Sequence, residues 1–406
     1  MKHPRFALTA LGLAIALGTL GCSSAGDATG GESASESAPH VETLDETSVE
    51  DFNLPASYEG RTVMETEWHQ PPEEIDGVFI GERLVGEPGE EIIVVVAVDA
   101  SGTILWTVEG PPVVLCSGTL IHANYTADGV PTVVITDVTS TAGSIVTPVI
   151  SAYEVHGGEQ VWGPVEVPGF RLGPGLVFEN TKNLSAGKDV AKIVLDASTG
   201  EVLADGMTLQ DRRIVGESSG TLFTVDDTTL FAESLNDDGT FDTVWSVSLA
   251  ERGWDADEIS SRRHMDDFGG KYLAIPSGDG VADIISLDTG DIVLADTQQV
   301  KYDHQSGALL AVTGNRVFGV QPGAEPWSFE VDEAVFIQGA GDGLGYLQGV
   351  GTLHVVDLRT GEARAPEFVD DVDAGSIQLL PTVISSNGAA VIEGQELRFF
   401  VAAPST

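Results

Sequence analysis

The stretch GESSG, Gly216–Gly220, carries the G-x-S-x-G spacing that thrusts a serine nucleophile out of a sharp strand-to-helix turn, with Ser218 in the central place. That chemistry needs a helix after the turn, whose N-terminus lies over the developing oxyanion. Here TLFTV follows, a β-rich run, so the sequence predicts a hairpin turn and no nucleophile. GAGDGLG, Gly339–Gly345, misses the G-x-G-x-x-G spacing and leads into another strand, so it reads as a loop and not as a phosphate cradle. In SLNDDGTFDTVW, Ser234, Asn236 and Asp238 fall on alternate positions before Gly239, which is how a calcium loop begins. The closing bidentate carboxylate would fall on Trp245, so the pattern fails where calcium most needs a ligand.

WDADEISSRRHMDDF groups Asp255, Asp257, Glu258, His264, Asp266 and Asp267 around Arg262 and Arg263. The segment reads first as a solvated loop between β segments and second as an ion or partner contact. Asp238, Asp266 and Asp267 are the candidate metal ligands, and Asp370, Asp371 and Asp373 carry the same two readings. The remaining histidines beyond residue 21, His40, His69, His122, His156, His304 and His354, lack the i, i+4 or clustered spacing of a zinc site. Cys116, in PVVLCSG, reads as a small apolar residue packed in a strand. No catalytic set emerges, although 63 Asp and Glu leave room for a carboxylate pair that a hydrolase or lyase would use.

Charge narrows the partners. The chain has 19 Lys and Arg against 63 Asp and Glu, a formal charge of −44. Such a field excludes nucleic acid, whose binding rests on neutralising phosphates, and opposes lying flat on anionic lipid. It favours cations or basic groups, though its plainest use is an acidic solvated surface.

The chain must be positioned before it can bind. Lys2 and Arg5 precede an uncharged run from Phe6 to Leu20, too short to span a bilayer and built as a secretory signal. Its TLGC end resembles the lipobox of bacterial lipoproteins, with Thr19 where Leu is more usual. The resemblance implies cleavage after residue 21 and a lipid on Cys22 that tethers the protein outside the cytoplasm, on the outer face of the cell membrane in a single-membrane host. With Cys22 acylated, Cys116 has no intramolecular disulfide partner. Residues 22–59, rich in Ser, Gly, Ala, Glu and Asp, cannot bury enough apolar surface to fold and read as an acidic tether.

From Gly60 the pattern changes to short runs such as IIVVVAV, TVVIT and DIISL between turn residues, an all-β signature. One phrase recurs: an apolar run, an acidic residue, a turn glycine, a second apolar run. It falls at Gly102, Gly158, Gly200, Gly239, Gly290, Gly323 and Gly361, with Gly60 starting the series, at intervals averaging about 43 residues, the period of four-stranded propeller blades. Four residues beyond the glycine lie Met64, Trp106, Trp162, Ala204, Leu294, Trp327 or Ala365, where a large ring would dock one blade on the next.

The DASTGEVL string, Asp196–Leu203, resembles the PQQ-type propeller repeat close to A-x-D-x-x-T-G-x-x-x-W. Residues 60–401 are thus similar to the quinoprotein-dehydrogenase-like superfamily, whose lipoprotein members, including that of the outer-membrane barrel-assembly machinery, are non-enzymatic. The resemblance implies a propeller. Dehydrogenase members cover the quinone with a disulfide between adjacent cysteines and hold it through calcium on a Glu, an Asn and an Asp. This chain has no adjacent cysteine pair and no matching cluster, so no cofactor is expected, with Ca2+ or PQQ the exceptions to test. Its ends complete the picture: GRTVMETEW supplies a last strand, the C-terminus three more, and residues 402–406 a tail. The sequence therefore predicts a single, monomeric all-β propeller of eight four-stranded blades, seven being the alternative, closed by its N- and C-terminal strands. It would act as a non-catalytic binding or scaffold module for a protein partner or small ligand, with a PQQ- and calcium-dependent dehydrogenase or a carboxylate hydrolase as the competing readings.

Overall fold

The computed structural model describes residues 42–48, 52–87, 90–112, 121–139, 147–169, 171–179, 192–209, 211–236, 240–261, 266–364, 367–368, 377–395 and 397–404. Eight antiparallel sheets form a closed ring, an eight-bladed β-propeller. Blade 1 runs from Glu73 to Pro112, blade 2 from Ile121 to Glu166, blade 4 from Arg213 to Ser248, blade 5 from Asp267 to Thr297, blade 6 from Gln299 to Glu330 and blade 7 from Phe336 to Phe368. Each is a four-strand meander. Blade 3 has strands Val177–Glu179, Lys192–Leu195 and Val202–Asp205, and the bridge between Arg171 and Phe178 marks its innermost position.

Blade 8 settles the count. Leu380–Ile384, Ala390–Gly394 and Leu397–Val401 form its first three strands, and Val63–Glu65 pairs antiparallel with the third, Val63 opposite Val401. Both ends of the chain thus build one sheet, which leaves no open pair of edges in the ring.

The blades hold together through eight apolar clusters, one at each blade-to-blade interface. Every sheet is covered on both faces, which is why the strands carry continuous apolar runs. In Ile92–Val98, the neighbours Val95, Val96, Ala97 and Val98 are all buried. Because each blade is a meander, its first-to-second and third-to-fourth turns share one end of the ring, called here the turn face. First strands of neighbouring blades approach one another around the axis.

Two sequence expectations need correction. Residues 42–48 and 52–59, read as tether, lie on the propeller. Thr43 bridges Thr103 of blade 1, Glu46 bridges Met64 of blade 8, and Phe52–Asn53 pairs parallel with Ile377–Gln378. The average composition concealed a few well-placed apolar residues, of which Leu44 and Tyr58 are buried. The acidic segment between blades 4 and 5 is likewise more than a solvated loop. It holds short helices at Leu249–Arg252 and Ala256–Ser261, and Trp254 and Ile259 enter the core. Asp255 accepts from the amides of Asp257 and Glu258, capping the second of them. Among the described residues, no helix is long and apolar enough to cross a membrane.

Candidate functional site

The recurring glycine and the ring four residues beyond it work across blade boundaries. Trp106 donates its indole N–H to the Val155 carbonyl at 2.7 Å and lies over Gly158 of blade 2. Trp162 donates to Ala197 at 2.8 Å over Gly200 of blade 3, and Trp327 to Leu358 at 2.9 Å over Gly361 of blade 7. Met64 occupies the equivalent place over Gly102. Gly60, Gly102, Gly158, Gly200, Gly290, Gly323 and Gly361 all have positive φ, so the glycine both turns the chain and leaves room for the ring. Gly60 and Gly323 have nothing stacked on them. Sequence reasoning missed Trp245, which donates to Leu287 at 2.7 Å over Gly290. It lies six residues beyond Gly239 and not four. Gly239, Asp238, Cys22, Cys116, His40, Arg262, Arg263, His264, Ala365, Asp370, Asp371 and Asp373 lie outside the described residues.

These indoles are committed to packing, so a ligand site must be sought elsewhere. At the turn face, near the ring axis, Glu73, Glu74 and Ile75 of blade 1 meet His122–Tyr125 of blade 2, Arg171 and Gly175 of blade 3, Asp266 and Asp267 of blade 5 and His304 of blade 6. They enclose a cavity of about 300 Å³. Glu217 and Ser218 of blade 4 border this group: Ser218 donates its hydroxyl to Asp267 from the end of a strand-to-strand hairpin. Gly339–Gly345 is likewise a hairpin, with Gly341 opposite Leu344.

The acids come from a repeated local device. Glu74 accepts from the Gly77 amide at 2.9 Å, Glu217 from Gly220 at 2.7 Å and Asp267 from Gly270 at 2.8 Å. In each, an acid at the end of a first strand caps the following turn three residues on, and the glycine supplies the positive φ the turn needs. Acid-x-x-Gly at the head of a β-rich run was the signal that would have found Glu74 and Glu217. The sequence reading named Asp266, Asp267, His122 and His304 but had no means of bringing them together. It gave no attention to Glu73, Glu74, Asn124, Tyr125 or Arg171.

Burial sets the protonation of the site. It raises Glu74 to about 7, helped by the charges of Asp76 and Asp303 and opposed by the Gly77 amide. Burial raises Glu217 to about 7 as well, against the Gly220 amide and with the charge of Asp267 adding to the rise. Glu73 and Asp267 are raised by the same cause, opposed at Glu73 by Arg171 and Lys301 and at Asp267 by the Ser218 hydroxyl and the Gly270 amide. Burial draws Arg171 down to about 10, with Glu73 and Asp266 opposing, so it stays charged at neutral pH. His122 is held well below its ordinary value by burial and by Arg171, and is a neutral imidazole. Its Nε2 and the Nδ2 of Asn124 are sealed from solvent with no hydrogen-bond partner.

A pH dependence follows. A carboxyl raised in the folded state gives stability that is present below its unfolded value, 4.5, and is lost as pH rises through about 7. For the buried Glu217 this amounts to about 3 kcal/mol. Thermal or urea unfolding between pH 4.5 and 8 should show stability falling, and Glu217→Gln should flatten the fall and be more stable than the wild type at pH 8 by about 1–2 kcal/mol. Equal slopes in the two proteins would mean that Glu217 is not the group responsible.

Neither cofactor of the sequence resemblance fits this pocket. PQQ is a polyanion, and the acids outnumber the one cation, Arg171, which already stands in the fields of Glu73 and Asp266. Among the described residues, no three His, Cys, Asp or Glu side chains are grouped to hold a metal ion. Asp267 is instead engaged by Ser218 and Gly270, while Asp266 acts on Arg171.

No family model and no curated protein matches the chain. Among solved structures it is similar to BamB from Moraxella catarrhalis, at 14% identity and a TM-score of 0.43 over 88% of this chain and 99% of that one. It is also similar to Sqt1 of Saccharomyces cerevisiae, at 13% identity and a TM-score of 0.38 over 83% and 95% of the two chains. A third likeness is to the β-propeller domain of Cps50 (Swd1) of Myceliophteria thermophila, at 9% identity and a TM-score of 0.36 over 84% and 98%.

Proposed function

We propose that the protein is an extracytoplasmic, lipid-tethered propeller that acts as a non-catalytic binding module, with the turn face as its working surface. The observation that carries this reading is the axial pocket, where polar side chains from five blades converge and two sealed polar atoms lack partners. The acylated residue would be Cys22, and the stretch from Cys22 to Val41 would serve as the leash to a bacterial membrane. Nucleic acid is no partner for a chain of this charge.

The test has two parts. Cys22→Ala should move the protein from the membrane fraction to the soluble one, and retention there would remove the lipid anchor from the reading. A photo-crosslinking amino acid at Asp128, in the exposed first turn of blade 2, should capture a partner in intact cells. The same group at Val350, in the second turn of blade 7 and so on the opposite end of the ring, should not. Capture from Val350 alone would put the working surface on the wrong face.

A second reading is a hydrolase using the same acids. Two carboxyls raised to about 7, Glu74 and Glu217, have the protonation that a general acid requires at neutral pH. Turnover of a glycoside that is lost in Glu74→Gln would favour it.

A further inference from the structure

We propose that the axial pocket binds a small organic ammonium compound, its cationic head held between Glu74 and Asp267 beside the Tyr125 ring, its polar end met by Asn124 and His122. The proposal rests on the binding-module reading and names the ligand class of that site. Three observations carry it.

The first is unbalanced charge. Arg171 stands in the fields of Glu73 and Asp266, and Lys301 also acts on Glu73. The charges that act on Glu74 are those of Asp76 and Asp303, and none is a cation. Asp267 in turn has only the Ser218 hydroxyl and the Gly270 amide on it. A positive group entering here therefore meets acids that the protein itself leaves without a counter-charge.

The second is the aromatic wall. Tyr125 lines the pocket in the fields of Glu74, Asp76 and Asp267. Behind it Tyr302 packs against Gly269 and meets the ring of His304 edge-on at 4.9 Å, with Tyr272 beyond at 6.2 Å. Ring faces next to carboxylates attract alkylated ammonium groups, which are weakly hydrated and give up little on leaving water. A hard metal ion gains nothing from such a wall and needs more oxygens than this pocket groups together.

The third is the pair of orphaned polar atoms. Asn124 Nδ2 is a donor without an acceptor, and His122 Nε2 is equally unpaired. A buried polar group left so costs stability, and because both residues line the cavity a ligand oxygen would satisfy both once the two side chains turn toward it. The cavity of about 300 Å³ is at the small end of ligand sites, which fits a compound the size of choline or ethanolamine.

The experiment is titration calorimetry and thermal shift on the full chain with choline, ethanolamine, tetramethylammonium and calcium as probes. Saturable binding of choline is expected, weakened at least tenfold in Glu74→Gln and in Asp267→Asn. Asn124→Ala should weaken choline and ethanolamine but leave tetramethylammonium, which has no polar end, unchanged. Tyr125→Leu, which removes no charge, keeps the test usable if an acid variant does not fold, and it should also lose choline. No saturable binding of any organic cation by the folded chain would overturn the proposal, as would calcium binding that the same substitutions abolish. Either result would leave the capture experiment at Asp128 standing, so the two readings fail separately.

Discussion

Replacing Trp162 by Ala is expected to destabilise the propeller by about 3–5 kcal/mol, the range for emptying a buried tryptophan site. The ring is buried at the interface of blades 2 and 3, among Val134, Ile150, Ala152, Leu176, Phe178 and Leu195. Truncation leaves a cavity that β-sheet backbone cannot collapse to fill, and strands the Ala197 carbonyl that the indole N–H had satisfied at 2.8 Å. Trp162→Phe separates the two effects, since it keeps most of the ring but removes the donor, and should cost less than half as much. The complementary change is Gly200→Ala. A Cβ there would lie 2.5 Å from the Trp162 ring and would also impose a side chain on a backbone with φ of 71°. Urea unfolding of the three variants checks the ordering. A Trp162→Ala protein within 1 kcal/mol of the wild type would show that this indole does not hold the blades.

The glycine explains why this fold was legible in the sequence. A turn residue that must take positive φ, and that at Gly158, Gly200, Gly290 and Gly361 also receives an indole, leaves a recurring mark along the chain, and the mark's spacing counts the blades. Ring closure was legible because GRTVMETEW has a strand with no partner before it, and the C-terminal segment lacks a last strand. The period failed where the hairpin is longer. A bulge sets Trp106 opposite Ala97 directly after the Val98–Ile104 pair, whereas blade 4 adds the Ser234–Asp242 and Glu233–Thr243 pairs before the same bulge sets Trp245 opposite Ala232, which moves the docking position two residues further from the turn. The pocket was not legible for a different reason. Its members are 37 to 230 positions apart, and only the ring geometry brings Glu74, Tyr125, Arg171, Asp267 and His304 to one axis. Types and spacing along the chain carry local structure, and a site assembled from a few residues on each of five blades leaves no local trace. What could be read was the turn capping: Glu74, Glu217 and Asp267 are each followed three residues on by a glycine.

Removing residues 42–65 should abolish the cooperative folding of the ring, because this segment closes it three times over. Val63–Glu65 is the outermost strand of blade 8. Outside it, the Thr47 amide donates to the Val63 carbonyl and the Glu65 amide to Asp45, both at 2.9 Å. The same segment then crosses to blade 1, where the Leu44 amide donates to the Gly102 carbonyl and the Ile104 amide to Glu42. Residues 42–47 thereby join the outer edges of the first and last blades, next to the seam inside blade 8 where hydrogen bonds between Val63–Glu65 and Leu397–Val401, and not the chain itself, close the ring. On the other side, Phe52–Asn53 pairs with Ile377–Gln378, and Tyr58 packs against Tyr346 with Arg61 donating to the Gly388 carbonyl at 2.7 Å. Without these contacts blade 8 has three strands and an open edge, and the interface of Met64, Phe79, Val96 and Phe400 is exposed. Loss of a single sharp melting transition, with association in solution, is the expected result. Met64→Asp in the full chain applies the same argument at one atom group. It puts a charge into a buried site against Gly102 and Phe400, and should cost more than about 3 kcal/mol. If the truncated chain melted as sharply as the full one, closure would have to reside in the remaining blade-to-blade clusters, and the N-terminal segment would be an accessory laid over a ring already shut.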